Sequence, residues 1–78
     1  MPICGMNTLC RGQRATVSSV LLEGTMRRRM QDLGLIPGTV VECRMKSPAG
    51  DPVAYALRGT VVALRNRDAE QILVRPEA

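Results

Sequence analysis

Apolar positions along this chain recur at two periods. From Ala15 to Leu22, "ATVSSVLL" alternates until Ser18 and Ser19, where the alternation slips, so a strand with a bulge or sharp bend is expected. The period then lengthens. In "EGTMRRRMQDLG", Met26, Met30 and Leu33 fall at i, i+4 and i+7, a single apolar stripe on a helix whose start Thr25 is placed to cap. Gly34 supplies the left-handed residue that ends the helix, and Leu35 can pack back on Met30. Pro37 and Gly38 follow in the order of a type II turn, proline fixing φ and glycine accepting a positive φ. The chain therefore stops a helix and turns a corner.

Period two returns after the corner. "TVVECRMK" places Val41, Cys43 and Met45 on one face and Glu42, Arg44 and Lys46 on the other. "SPAGDP", with Pro48 and Pro52, is dense in turn formers, and "VAYALR" sets Val53, Tyr55 and Leu57 to one side, so residues 39–58 read as a hairpin. Gly59 opens another turn. "TVVAL" is a strand, "NRDAEQ" a single helical turn with Asn66 near its cap, and "ILVR" a last short strand. Five strands with one inserted helix and one helical turn predict a mainly β fold, a small SH3-like antiparallel barrel, since closure hides edges that so short a chain cannot cover. The first residues carry no such pattern. Residues 1–8 are expected to form a flexible lead-in and residues 9–78 a single domain.

Composition narrows the function. With 78 residues one core is all the chain can bury, and Tyr55 is its only aromatic residue. The formal charge of +4 favours an acidic partner, nucleic acid or an anionic membrane face. The start, "MPICGMNTLC", has no basic lead before a long apolar run, and no window is long and apolar enough to span a bilayer, so a cytoplasmic protein is expected.

Candidate chemistry is sparse. There is no histidine, no serine elbow and no pair of carboxylates at useful spacing, and Cys4, Cys10 and Cys43 lack metal-finger spacing, so neither enzymatic activity nor a cofactor or metal is expected. Arg27, Arg28 and Arg29 fan around the helix at about 100° per residue, with Arg29 beside the apolar stripe and Arg28 opposite, where Asp32 at i+4 can pair with it. Of the Leu21–Leu22 pair only one side chain can point inward. The candidate partner-binding residues are Leu22, Arg27, Arg28 and, at the hairpin tip, Lys46 and Asp51. Gly34, Pro37, Gly38, Pro48 and Pro52 are structural candidates.

An ordered series of short elements resembles the FeoA family. It comprises Arg29–Met30, Leu33–Gly34–Leu35, Pro37–Gly38, Ser47–Pro48, Gly50–Asp51–Pro52, Ala63–Leu64–Arg65, Ala69 and Ile72, with Leu9, Gly12 and Val17 upstream. Met30 stands where the family often has leucine, a volume-conserving change. The resemblance implies an SH3-like barrel that binds or helps regulate the cytoplasmic GTPase region of the membrane transporter FeoB in ferrous-iron transport, with weak attraction to the inner membrane surface as a consequence of charge. Nucleic-acid binding by a small basic barrel is the alternative, weakened by the single aromatic and the scattered arginines. A stand-alone regulatory domain like that of metal-dependent repressors, holding a proline-containing peptide, is a further one, though its aromatic-lined groove has no counterpart in the sequence.

Overall fold

The computed structural model describes residues 2–77; Met1 of the expected lead-in and Ala78 of the expected domain lie outside them. Six strands form one antiparallel sheet: β1 (Cys4–Gly5), β2 (Arg14–Val20), β3 (Val40–Lys46), β4 (Val53–Leu57), β5 (Thr60–Leu64) and β6 (Ile72–Pro76). Helix α1 (Gly24–Leu33) lies between β2 and β3, and the short α2 (Asn66–Ala69) precedes β6. The spatial order β1-β6-β2-β3-β4-β5 bends round one core that includes Val17, Val41, Tyr55, Ile72 and Val74. This is the mainly β, SH3-like barrel with an inserted helix that the pattern predicts, with one strand more; its edges are not hidden by closure as expected, since among the described residues β1 and β5 do not pair with each other.

The extra strand comes from the expected lead-in. Cys4 and Gly5 pair with Val74 and Leu73 of β6, a 3-10 turn over Met6–Thr8 follows, and Met6 and Leu9 are fully buried. Residues 4–9 are thus built into the fold, with Met6 and Leu9 as members of its core. Local pattern gives no warning of this. The partners are the far end of the chain and Tyr55, whose hydroxyl donates to the Met6 carbonyl at 3.4 Å.

Two bulges set which residues face the core. In β2, Val17 pairs with Val74 and Ser19 with Leu73, leaving Ser18 as the extra residue where the alternation slips in the sequence. In β3, Cys43 pairs with Tyr55 and Met45 with Ala54, leaving Arg44 as the extra residue. Because Tyr55 points inward and Ala54 outward, the bulge turns Met45 to solvent. Met45, expected in the core, is 60% exposed.

The helix and its corner follow the sequence closely. Met30 is buried, with Met26 and Leu33 packed against the core at the margins of the stripe. Gly34 takes φ 96°, its N–H donates to the Gln31 carbonyl at 3.0 Å, and the Leu35 N–H reaches the Met30 carbonyl at 2.9 Å. Gly38 also takes φ 96°, and the Thr39 N–H closes the turn on the Ile36 carbonyl at 3.1 Å. The buried Thr39 hydroxyl donates to the Gly34 carbonyl at 2.8 Å, tying turn to helix end. The helix start differs from expectation. It begins at Gly24 with Glu23 in the capping position and no side-chain cap bond, so Thr25 is not the cap.

Candidate partner-binding surface

The expected contact residues divide between two places. Arg27 and Arg28 lie exposed on α1, whereas Lys46 and Asp51 flank the tip of the β3–β4 hairpin, also exposed. Among the described residues, no hydrogen bond or ion pair joins the two sets.

Leu22 is not on the surface. It is only 6% exposed, whereas Leu21 is 53% exposed. The β2 bulge is the reason: one extra residue at Ser18 brings Val20 inward against the core, sends Leu21 out and returns Leu22 to the interior. The apolar surface residue before the helix is Leu21. Behind it, Arg27 donates from Nη1 to the Val20 carbonyl at 3.1 Å, so this arginine also ties α1 to the end of β2.

Arg28 has no carboxylate partner among the described residues. Among the described residues the ion pairs are Arg14–Glu77 and Arg44–Glu42, each at 3.9 Å and solvent-exposed, and the expected Arg28–Asp32 pair is not formed. Such exposed pairs contribute under about 1 kcal/mol, so they do not dictate the surface. Arg28 is left to solvent.

The hairpin tip is braced from behind. Asp51 Oδ1 accepts the N–H of Asn66, the first residue of α2, at 2.9 Å, and Asn66 Nδ2 donates to the Gly50 carbonyl at 2.8 Å. A carboxylate from a distant loop therefore satisfies one of the free amides at a helix start that has no capping side chain of its own. Pro48 and Pro52 stand on either side of this braced segment. Asp51 carries a structural bond that its sequence neighbourhood gives no means to foresee, since Asn66 lies well beyond the hairpin.

The cysteines are dispersed. Cys43 is buried on β3, Cys4 is half-buried on β1 and Cys10 is exposed in the following loop. Among the described residues no three of His, Cys, Asp and Glu come close enough to hold a metal ion. Burial pushes the Cys43 thiol above its ordinary range, with Lys46 nearby opposing the shift. Burial likewise pushes the Tyr55 phenol up to about 12, with smaller contributions from Cys43 and Asp51. Both groups sit neutral in the core at physiological pH.

Two surface features escaped the sequence. Met45 and Val61, 60% and 59% exposed, share the outer face of β3–β5 with Ala54, Ala56 and Ala63. Between α1 and β5 runs a groove of about 310 Å³ whose rim carries Arg29, Arg65 and Arg67. Arg65 and Arg67 are neighbours at the start of α2, and Arg29 joins them from α1, so only the fold completes the cluster. No helix among the described residues is long and apolar enough to cross a membrane.

Comparison with known proteins agrees with this architecture. The FeoA domain model matches residues 4–76. A Fe(2+) transport protein A/Fe(2+) transporter FeoB fusion protein of Porphyromonas gingivalis is 35% identical over 72 residues; the match covers 88% of this chain but only 8% of the fusion. The solution structure of the FeoA protein of Chlorobium tepidum superposes with a TM-score of 0.90 at 36% identity, covering 95% of this chain and 70% of that one. The FeoA of Stenotrophomonas maltophilia, crystallised with zinc and described as a prokaryotic SH3 domain protein, gives a TM-score of 0.79 at 30% identity, covering 90% of this chain and 87% of that one. With the glycine-ended helix, the corner and the hairpin tip all in their expected order, the chain belongs to the FeoA family.

Proposed function

We propose that this protein is a non-enzymatic cytoplasmic adaptor that binds the GTPase region of a FeoB-like ferrous-iron transporter and biases its conformation or assembly. One observation carries the reading: in the P. gingivalis relative a chain like this one is covalently joined to a FeoB transporter, so the two parts work at one effective concentration on one polypeptide. The surface suits such a task. A stiff barrel offers exposed Arg27, Arg28 and Lys46 for an acidic partner, and Leu21 takes the apolar role expected of Leu22. Braced by Asn66, the hairpin tip loses little freedom on binding. The net charge of +4 speeds encounter and adds weak attraction to an anionic inner leaflet.

The test is association of the intact chain with a full-length FeoB-like transporter reconstituted in nanodiscs, read by interferometry. Binding is expected, and Arg28→Glu is expected to weaken it while thermal stability stays within about 0.5 kcal/mol of wild type. Absence of any association would overturn the reading. Unaltered affinity would remove Arg28 from the interface.

A further inference from the structure

β5 is the one long free edge of the sheet. Among the described residues it pairs only with β4, whereas the opposite edge, β1, is a two-residue strand. β4 and β5 are joined through Arg58–Gly59 alone, with Leu57 opposite Thr60. The closing pair of a two-residue hairpin exchanges both hydrogen bonds, so Thr60, Val62 and Leu64 turn their backbone groups toward β4, and Val61 and Ala63 turn theirs outward. No other backbone bond among the described residues uses these outward groups. Soluble proteins usually blunt such an edge with charge, proline or a bulge. "TVVAL" has no charge and no proline, and its register with β4 is unbroken.

The groove borders this edge. Its floor is Met26, Met30 and Leu33 of α1 together with Leu64. Above the floor stand Arg29, Arg65 and Arg67, all exposed and without an ion-pair partner among the described residues; Asp68 is the one acidic residue of the lining. Ten of the eleven cationic side chains in the chain are arginine, Lys46 being the exception. Arginine grips carboxylates in pairs of parallel hydrogen bonds.

We infer that the β5 edge and the α1 groove receive an extended, acidic segment of a partner protein, which adds to the sheet as a strand. The outward N–H and C=O groups of Val61 and Ala63 pair with its backbone. Alternate apolar side chains drop onto the Met26–Met30–Leu33 floor, and carboxylates meet the arginines. Charge decides against a second copy of this chain as the occupant, because edge-to-edge pairing would set the two arginine rims against each other. The inference rests on the adaptor reading for the partner's identity and adds a second contact face to the surface of Leu21, Arg27, Arg28 and Lys46.

The test is a titration of the isotope-labelled full chain with a short, end-capped peptide of alternating glutamate and valine. Amide signals of Val61 and Ala63 are expected to shift and gain exchange protection. A peptide with lysine in place of glutamate, or with a central proline, is expected to bind at least about tenfold more weakly. The double variant Arg29→Glu and Arg67→Glu should lose at least about tenfold in affinity with its melting temperature retained. Shifts centred on Met45 and Ala56, equal binding of the lysine peptide, displacement of the peptide by oligothymidine, or self-association through β5 in sedimentation would each overturn the inference. A second arm uses the transporter in nanodiscs. If it binds wild type and double variant equally, the groove inference falls and the adaptor reading stands; if it binds neither while the acidic peptide still engages β5, the adaptor reading falls and the groove stands.

Discussion

The corner at residues 30–39 and the segment at residues 4–9 do the same mechanical work by opposite means. Each delivers two fully buried side chains to one core, Met30 and Leu35 from the corner, Met6 and Leu9 from the segment. The corner's own turns are formed within its length, and Gly38 and Thr39 add a bond each way to Val17 of β2, the Gly38 N–H donating to the Val17 carbonyl at 2.9 Å and the Val17 N–H to the Thr39 carbonyl at 2.8 Å. Gly34 and Gly38 take the positive φ that ends the helix and closes the turn, and the bonds from Gly34, Leu35 and Thr39 return to residues within five positions. The segment is decided from far away, by pairing with β6 and by the Tyr55 hydroxyl on the Met6 carbonyl. Local specification is legible in a sequence; specification by distant partners is not.

Truncating the buried side chains tests that contrast most strongly. Met6→Ala should cost about 3 kcal/mol, as Leu35→Ala should, because each empties a fully buried site. Chemical denaturation reads the difference. A loss below about 0.5 kcal/mol for Met6→Ala would return residues 4–8 to the status of a loose lead-in. Gly34→Val comes next, at about 2 kcal/mol, because a β-branched residue resists φ 96°. A Cβ there would also lie 2.9 Å from Cδ of Arg58, a flexible chain that can move, so backbone strain dominates. Full stability of that variant would show that the corner is held by tertiary packing after all.

Alkali probes the distant bracing without a mutation. Tyr55 holds its proton in the folded protein up to about 12, whereas an exposed tyrosine releases it near about 10. Between these values the unfolded chain binds fewer protons than the native one, so stability falls as pH rises, by an amount on the order of 2–3 kcal/mol. The raised Cys43 thiol acts in the same direction. Since Tyr55 is the sole aromatic residue, its ultraviolet absorbance reports this titration unmixed. Ionisation near 10 in the folded protein would mean that the Met6 segment does not seal the core.

Asp51→Ala carries the smallest change, about 1 kcal/mol, the worth of a lost helix-start acceptor, measured by thermal melting. If stability is unmoved and only partner binding drops, Asp51 serves recognition and not bracing.

The strand alternation, the helix stripe, the stop at Gly34 and the hairpin tip could all be read from residue order, because period and turn chemistry act over a few positions. Met45 and Leu22 could not be placed that way. A single bulged residue inverts every side chain that follows, so recognising irregularity near Ser18 and Ser19 did not reveal that Leu21 would be the one left outside. Arg44 gave no irregularity to see, since "VECRMK" alternates through it without a break. The rim of Arg29, Arg65 and Arg67 was illegible for another reason: Arg65 and Arg67 sit together at the start of α2, but Arg29 on α1 is far from them in the chain and meets them only in the folded molecule.

Strand β6 lies between β1 and β2, although it is the last of the six to leave the ribosome. A nascent chain that ends before Ile72 can form the β3–β4–β5 meander, but β1 then has no neighbour and β2 keeps only its short ladder with β3. Residues 72–76 therefore act as a keystone, and the barrel's assembly waits for them to arrive.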